Sequence, residues 1–314
     1  MKALTIIPAY ILGNTKKVIL PKKVGSYVLI KDLQQKKIHP YAVGLYKKDG
    51  NKFVIKIWSG NLKDEFYYCL KNEIAALAIL NKTRKFKIKS LPTHLRQVST
   101  PGFIESIDKN NQLILIAEYI EGKKVSELKS TEKQLLYLNI CQEYIKWIGD
   151  NIPPKERKLI RDKSKLKFLY YYPLIFAAAF IKRPDLRSIL LKSVHTFISG
   201  VPMFLKFESR LVHGDLHVQN IITKGKKIYI LDTEIMMYTF PVYEQIVSFA
   251  SFRNSYSLQK KILDSLIRKE KKNKEFKILL KSLLIHNSTY DLTGNVPNKV
   301  VEKSRENIKL AISL

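Results

Sequence analysis

The segment that decides the fold reads LVHGDLHVQNIITKGKKIYILDTEIMMY and runs from Leu211 to Tyr238. It contains two Asp, two His, one Asn and one Glu among runs of Ile, Leu, Val and Tyr. A buried polar group without a hydrogen bond costs about 1–3 kcal/mol. Polar groups at this density in an otherwise apolar segment therefore need a purpose, and we infer that the segment carries a functional site.

The chemistry of the segment follows from a β-hairpin in its middle, NIITKGKKIYIL, with Gly225 at the turn. Asn220 precedes the first strand and Asp232 follows the second, so the hairpin is predicted to bring them together at its open end. Amide and carboxylate oxygens suit a hard cation such as Mg²⁺. We therefore predict Asn220 and Asp232 as metal ligands. Asp215, on the preceding loop, is expected to orient or deprotonate a hydroxyl group.

The composition describes a globular chain with room for two lobes. Its 314 residues are 46% hydrophobic, enough for substantial cores. The cysteines, Cys69 and Cys141, are single and far apart, which fits neither a disulfide framework nor a zinc site. We therefore expect the protein to reside in the reducing environment of the cytoplasm. The N-terminal apolar run is short, is interrupted by Pro8 and lacks a small-residue cleavage site, so we do not interpret it as a signal peptide.

The formal net charge of +29 would attract nucleic acid, anionic lipid or phosphorylated substrates. Lys far outnumbers Arg, however, and the basic runs are scattered along the chain. Base readout favours Arg, and RNA platforms interleave aromatic residues with basic ones. Neither pattern occurs, so nucleic acid is not the favoured partner, and a compositional bias explains the charge equally well.

The longest apolar run extends from Phe168 to Ile181 and contains Pro173. It is shorter than the roughly 20 residues that span a bilayer. A buried helix pair is the favoured interpretation. The alternative is an interfacial membrane segment, flanked by KSKLK and KR, and peripheral membrane contact stays open on that ground.

The predicted secondary structure changes from mainly strands to mainly helices near residue 120. Before it, GSYVLI, YAVGLY, KFVIKIW and QLILIAEYI read as strands, with KKDGNK as a hairpin turn and one helix from about 62 to 80. After it, helical patterns cover 131–150, 155–181, 185–207, 242–269, 273–287 and 297–313. The pattern predicts an α+β fold with a β-rich lobe at 1–120 (1–22 a possible extension) and a helical lobe at 121–314.

Two opposite charges are predicted to point inward in the first lobe. Lys56 stands in the middle of an apolar strand, where a charged side chain is costly unless it is paired. Glu73 lies on the apolar stripe of the following helix rather than on its polar face.

The segment at 211–238 resembles known kinase motifs. HGDLHVQN stands where protein kinases carry H-R-D-x-x-x-x-N, and LDTE stands where they carry D-F-G. It resembles most the aminoglycoside phosphotransferase and choline kinase family, small-molecule kinases with the bilobal protein-kinase-like fold. Their H-G-D-x-x-x-x-N loop and downstream I-D-x-E are matched, with Leu231 in place of Ile, by His213, Gly214, Asp215, Asn220, Asp232 and Glu234.

The resemblance implies an ATP- and Mg²⁺-dependent phosphotransferase that acts on a hydroxyl group of a small molecule. It implies that Lys56, fixed by Glu73, neutralises the nucleotide phosphates. The backbone of a segment like Glu118–Ile120 would bind the adenine. The first lobe would then bind the nucleotide, and the helical lobe would hold the catalytic loop and the acceptor.

The chain departs from the family pattern in several places. No G-x-G-x-x-G precedes Lys56, and the tip of the first hairpin carries Gln, Lys, His and Pro, so Lys36 and Lys37 would have to supply charge instead. The segment after Asp232 lacks the Gly of D-F-G and an A-P-E, which argues against a regulated protein kinase.

Further residues near the catalytic segment have supporting or open roles. Glu244 stands where the family usually has an Asp that braces the catalytic loop. His213 and His217 are expected to support that loop, and Glu234 is expected to act either at the metal or on the substrate.

Two alternatives to a soluble small-molecule kinase stay open. One is a membrane-surface kinase for a lipid or a lipid-linked sugar, motivated by the charge and the apolar run. The other is a catalytically silent kinase-like scaffold that binds anionic partners, motivated by the Gly-poor first hairpin. The sequence does not fix the acceptor or the oligomeric state.

Overall fold

The computed structural model describes residues 19–34, 41–60, 63–162, 165–240, 242–251, 256–270 and 274–314. The chain divides into two compact units. The first comprises the described residues up to Lys124 together with Asn151–Ile160 and Ile221–Met236. The second comprises Val125–Asp150, Arg161–Asn220 and Met237–Leu314. The tip of the first hairpin, with Lys36 and Lys37, lies outside the described residues.

The first unit is built on a six-stranded antiparallel sheet with the order β1-β2-β3-β4-β7-β6. Asp49 and Gly50 join β3 to β4 with positive φ angles of 48° and 79°, as expected for the KKDGNK turn. The strands are β1 Lys23–Val24, β2 Tyr27–Asp32, β3 Ala42–Lys48, β4 Asn51–Ser59, β6 Phe103–Lys109 and β7 Gln112–Glu118.

One helix, α1 (Glu65–Lys87), packs against this sheet. It begins at Asp64, whose Oδ1 accepts hydrogen bonds from the backbone N–H of Tyr67 and from Nε1 of Trp58, each at 2.9 Å. Because Trp58 belongs to β4, this cap also ties the start of the helix to the sheet. The buried cluster between them consists of Tyr41, Trp58, Tyr67, Leu70, Leu77, Leu113, Leu115 and Ala117.

The alternation of side chains along β4 divides the sheet into two faces. Ile55 and Ile57 join a second cluster with Tyr27, Tyr46 and Ile116, and a cavity of about 630 Å³ opens beside Ile57. Lys56 projects to the other face, on which α1 packs. The position of Lys56 in the strand thus decides which face of the sheet carries the charge.

The predicted hairpin is present in the first unit. Strands β11 (Ile221–Lys224) and β12 (Lys227–Ile230) pair antiparallel, with Ile221 opposite Ile230 and Gly225 at a φ of 58° in the turn. They are flanked by β8 (Lys123–Lys124) and β5 (Val98–Ser99).

The second unit is mostly helical, with a small sheet of order β10-β13-β9. Its strands are β9 Arg161–Asp162, β10 Arg210–Val212 and β13 Met237–Thr239. The helices of this unit are α2 Thr131–Asn151, α4 Lys165–Lys182, α5 Arg187–Ser199, α6 Val201–Lys206, α7 Tyr243–Ser251, α8 Tyr256–Glu270, α9 Lys274–Leu292 and α10 Asn298–Ser313. The short helix α3 (Pro154–Arg157) belongs to the first unit.

Two helices expected from the sequence are interrupted in the structure. The pattern at 155–181 divides into α3, the strand β9 and α4, because β9 pairs in parallel with β13. The pattern at 185–207 breaks at Gly200, where an added Cβ would collide with Ser282. In the first of these places a tertiary contact, the β9–β13 pairing, overrides the local periodicity.

Candidate active site

The ammonium group of Lys56 lies between two carboxylates of the first unit. Its Nζ is 2.9 Å from Oε2 of Glu73 and 2.8 Å from Oδ1 of Asp232. Strand β4 presents Lys56 towards α1, where Glu73 is buried on the apolar stripe. The side chains of Lys56 and Glu73 are 16% and 4% exposed, so solvent screens this pair weakly. The structure thus brings together the two charges that the sequence predicted to point inward.

The electrostatics follow from this geometry. Burial alone would lower the pKa of Lys56, but the carboxylates of Glu73, Asp232 and Glu234 outweigh it and raise the pKa on balance. Burial raises the pKa of Glu73, and the Lys56 ammonium acts against that rise. Lys56 is therefore a fixed positive charge at physiological pH.

Asp232 has an unusual backbone conformation. It directly precedes the 3₁₀ turn Thr233–Ile235, with φ 61° and ψ 62°, the left-handed region that side chains other than Gly rarely adopt. Such strain costs on the order of 1–3 kcal/mol and concentrates at functional positions. The conformation directs the Asp232 carboxylate to Lys56.

Carboxylate oxygens of three residues gather at this point. One ligand atom each from Glu73, Asp232 and Glu234 lies within 4.8 Å of the others. Glu234, whose role the sequence left between metal and substrate, therefore belongs to the same acidic group as Asp232. Carboxylate oxygens are the ligands that Mg²⁺ prefers, so the chemistry of this donor set fits a hard divalent cation.

Asn72 is a site residue that the sequence reasoning missed. Its Nδ2 donates to the backbone oxygens of Glu234 at 3.0 Å and Met236 at 2.8 Å. It stands next to Glu73 in the sequence and is buried. An amide on the buried side of α1 was the signal, because a buried amide needs partners. Asn72 fixes the segment that follows Asp232.

In the second unit, Asp215 and Asn220 are in direct contact. Nδ2 of Asn220 donates to the backbone oxygen of Asp215 at 3.0 Å and to its Oδ2 at 3.3 Å. Nδ1 of His217 accepts from the backbone N–H of Gln219 at 3.2 Å, and its Nε2 is 3.5 Å from Oδ2 of Asp215. His217 therefore supports the loop at both of its ring nitrogens, in line with the role expected of it.

Glu244, at the start of α7, braces the same loop. Its Oε2 accepts from the backbone N–H of His213 at 2.5 Å and of Gly214 at 3.3 Å. Burial raises the pKa of Glu244 to about 7, although the backbone N–H groups of Gly214, His213 and Leu216 oppose the rise. Glu244 therefore reaches the loop that it was expected to support.

The segment proposed to bind adenine joins two sheets of the first unit. Glu118 ends β7, and its Oε2 accepts from the backbone N–H of Gly102 at 3.1 Å. Ile120 packs with Ile222 and Tyr229 beside the β11–β12 hairpin. The pairing of Asn220, in the second unit, with Asp232, in the first, stays a prediction, as do the binding roles of Glu118 and Ile120.

Comparison with known proteins yields similarity in structure alone. No protein-family model and no curated protein sequence matches the chain. An aminoglycoside phosphotransferase, solved as a thermostable mutant with ADP and hygromycin B, superimposes with a TM-score of 0.57 at 11% identity, over 91% of this chain and 94% of that one. A microcompartment-associated aminopropanol kinase gives 0.53 at 10% identity, over 98% and 95% of the two chains. The α+β prediction is thereby confirmed, and the chain has the bilobal kinase-like fold of these small-molecule phosphotransferases.

Proposed function

We propose that the chain is an ATP- and Mg²⁺-dependent phosphotransferase that transfers the γ-phosphate to a hydroxyl group of a small molecule. The observation that carries the proposal is the Lys56 ammonium held between Glu73 and Asp232. A structural ion pair needs one partner for the lysine, whereas phosphate binding needs a fixed cation beside metal-binding carboxylates. Their order along the chain, on a strand, a helix and the segment after a hairpin, is the order that the resemblance to kinases implies, which supports the proposal.

The chain's own residues suit the division of labour that phosphoryl transfer needs. Lys56 is the fixed positive charge for the nucleotide phosphates, and Glu73 holds it in position. Asp215 is the proposed residue that orients the acceptor hydroxyl and accepts its proton. Such positioning accounts for much of the barrier reduction in this reaction class.

Asp232 and Asn220 are the proposed metal ligands. The amide nitrogen of Asn220 donates to Asp215, so its amide oxygen is the atom left to bind a cation. Asp232 and Glu234 supply carboxylate oxygens. When bound, Mg²⁺ would neutralise charge on the nucleotide phosphates.

The ligands bound in the structural neighbours support the substrate class. The aminoglycoside phosphotransferase was solved with ADP and hygromycin B, and again with a non-hydrolysable ATP analogue and hygromycin B. The second neighbour is named for aminopropanol. We propose a nucleotide and a small hydroxyl compound as the substrates of this chain.

The test is a phosphorylation screen of the purified chain with Mg·ATP against a panel of hydroxyl compounds. We expect ADP formation and a phosphorylated product with at least one acceptor, and a loss of about 10²–10⁴-fold in turnover for Asp215→Asn. Asp264→Asn is the matched control, because it removes an exposed acid of the same unit. Nucleotide binding without transfer to any acceptor would instead support the silent scaffold.

A further inference from the structure

Over residues 171–181, helix α4 is apolar on its exposed face as well as on its buried one. Between residues 171 and 181 every exposed position carries an apolar side chain: Pro173, Leu174, Ala177, Ala178 and Ile181. Their spacing puts them on one stripe of the helix. Leu174 is 48% and Ile181 is 74% exposed. A helix that is apolar all round is normally buried or in contact with lipid.

The inner face of α4 is already occupied. Tyr172 stacks on Phe197 of α5 with ring centroids 3.6 Å apart. Ala179 belongs to a buried cluster that Phe176 and Phe180 extend and that also contains Leu190 of α5 and Leu292 of α9. The exposed stripe therefore cannot rotate inward without breaking this packing, and it remains a separate surface.

Helix α5, which packs beside α4, combines exposed apolar and basic side chains. Leu191 and Ile198 are 57% and 58% exposed and stand seven residues apart on one face. Arg187 and Lys192 are exposed on the same helix. The Arg187 guanidinium lies 5.0 Å from the centre of the Phe180 ring, and its Nε donates to the Phe180 backbone oxygen. A cation is thereby fixed to α4 itself.

The charge of this region is one-sided. From residue 163 to residue 207 the only acidic residue is Asp185. The same stretch carries eight basic residues: Lys163, Lys165, Lys167, Lys182, Arg183, Arg187, Lys192 and Lys206. Lys206 is paired with Glu275 of α9, whereas Lys182, Arg187 and Lys192 are exposed at the end of α4 and on α5. An apolar stripe next to exposed cations complements a surface that is apolar below and anionic above.

We propose that the exposed stripe of α4, with Leu191, Ile198 and the bordering cations of α5, docks onto an anionic phospholipid surface. In the part of the chain that the structure describes, no helix has the length and apolarity needed to cross a membrane. At 18 residues α4 is about 27 Å long and would lie in the plane of the interface, with Leu174 and Ile181 entering the acyl boundary. This docking is independent of phosphotransfer, because it uses none of the residues assigned to that reaction.

The first experiment measures vesicle flotation of the full chain. Vesicles of phosphatidylcholine with phosphatidylglycerol are compared with vesicles of phosphatidylcholine alone. We expect binding to the mixed vesicles, weakened by added salt, and a loss of at least about tenfold for the double variant Leu174→Ser, Ile181→Ser. The matched control is Leu136→Ser, Leu159→Ser, which removes two equally exposed apolar side chains elsewhere and should leave binding unchanged.

The second experiment removes charge from the same surface. Arg187→Gln with Lys192→Gln should lower binding to the mixed vesicles by about fivefold per charge. The control pair Lys129→Gln with Lys133→Gln removes two exposed cations elsewhere in the second unit and should have a smaller effect. Circular dichroism melts establish that each variant is folded.

Three results would overturn the proposal. The first is a Leu174, Ile181 variant that binds no more weakly than its control, because the stripe would then contribute nothing specific to adsorption. The second is absence of flotation with both vesicle types. The third is a self-associated wild type that the same double variant makes monomeric in sedimentation velocity, because the stripe would then be covered by a second copy of the chain.

Discussion

Within the described part of the chain, the cationic partner of Glu73 is Lys56, whereas Lys56 has a second anionic partner in Asp232. The distances are 2.9 Å for Lys56–Glu73 and 2.8 Å for Lys56–Asp232. Loss of Lys56 removes the cation from the buried Glu73 carboxylate, whereas loss of Glu73 leaves Lys56 paired with Asp232. This asymmetry distinguishes the two residues in experiments that need no substrate.

Lys56→Met should therefore destabilise the fold more than Glu73→Gln does. Removing one partner of a buried ion pair costs about 3–5 kcal/mol when the other is left uncompensated. Glu73→Gln should cost about 1 kcal/mol, the net contribution of one hydrogen bond. Equilibrium unfolding in urea measures both. The double variant should recover part of the loss, because it no longer buries a lone charge.

Lys52→Met is the control for this comparison, because Lys52 pairs with Glu121 on an exposed part of the same sheet. Its free energy of unfolding should change by less than about 1 kcal/mol. Equal effects of Lys56→Met and Glu73→Gln would show that Asp232 does not compensate the lysine.

Asn72→Ala should weaken Mg·ATP binding although Asn72 itself is not a proposed ligand. Its amide fixes the Glu234 and Met236 carbonyls that follow Asp232. Asn81→Ala is the matched control, because Asn81 makes three comparable hydrogen bonds from the same helix to Leu77, Thr100 and Pro101. Both variants should lose about 1–3 kcal/mol of stability. In calorimetry, only the Asn72 variant should lose nucleotide affinity; equal affinities would remove Asn72 from the site.

The raised pKa of the buried Glu244 should make the stability of the fold depend on pH. Its folded-state pKa is raised from the ordinary 4.5 to about 7, so the protonated form is favoured in the folded state. The stabilisation is complete below pH 4.5 and is lost as the pH rises to about 7. Glu244→Gln cannot ionise, so its stability relative to wild type should rise by up to about 1.4 kcal/mol per pH unit across that window and stay constant above it.

Melting temperatures of the two proteins from pH 4 to pH 9 test this dependence. Asp264→Asn serves as the control for removing an acid from the same unit. A difference between Glu244→Gln and wild type that does not change with pH would mean that Glu244 is not buried against the loop as described.

The sequence predicted the fold most accurately where chemistry and periodicity coincide. The hairpin at 221–230, the Asp49–Gly50 turn and the inward Lys56 and Glu73 all follow from residue type and spacing. Helix α1 extends to Lys87, beyond the apolar stripe, because Arg84, Lys85 and Lys87 suit the carboxyl end of a helix.

What the sequence missed depends on contacts between distant segments. Strand β6 was not predicted, because most of its side chains are at least partly exposed and its apolar residues do not alternate clearly. Its turn uses Asn110 and Asn111 with positive φ angles. Asn72 was missed because its partners lie more than 160 positions away. The left-handed Asp232 was missed because Asp adopts that conformation only occasionally, so residue type alone did not mark it.

Calorimetric titration of Mg·ATP into Asp215→Asn and Asp232→Asn tests the proposed division of roles most directly. If Asp232 binds metal and Asp215 meets the acceptor hydroxyl, Asp215→Asn should keep the wild-type affinity within about twofold, a shift of less than about 0.5 kcal/mol. Asp232→Asn should then weaken it by at least about tenfold, or 1.4 kcal/mol. Unchanged affinity in the Asp232 variant, or a loss confined to the Asp215 variant, would contradict the account.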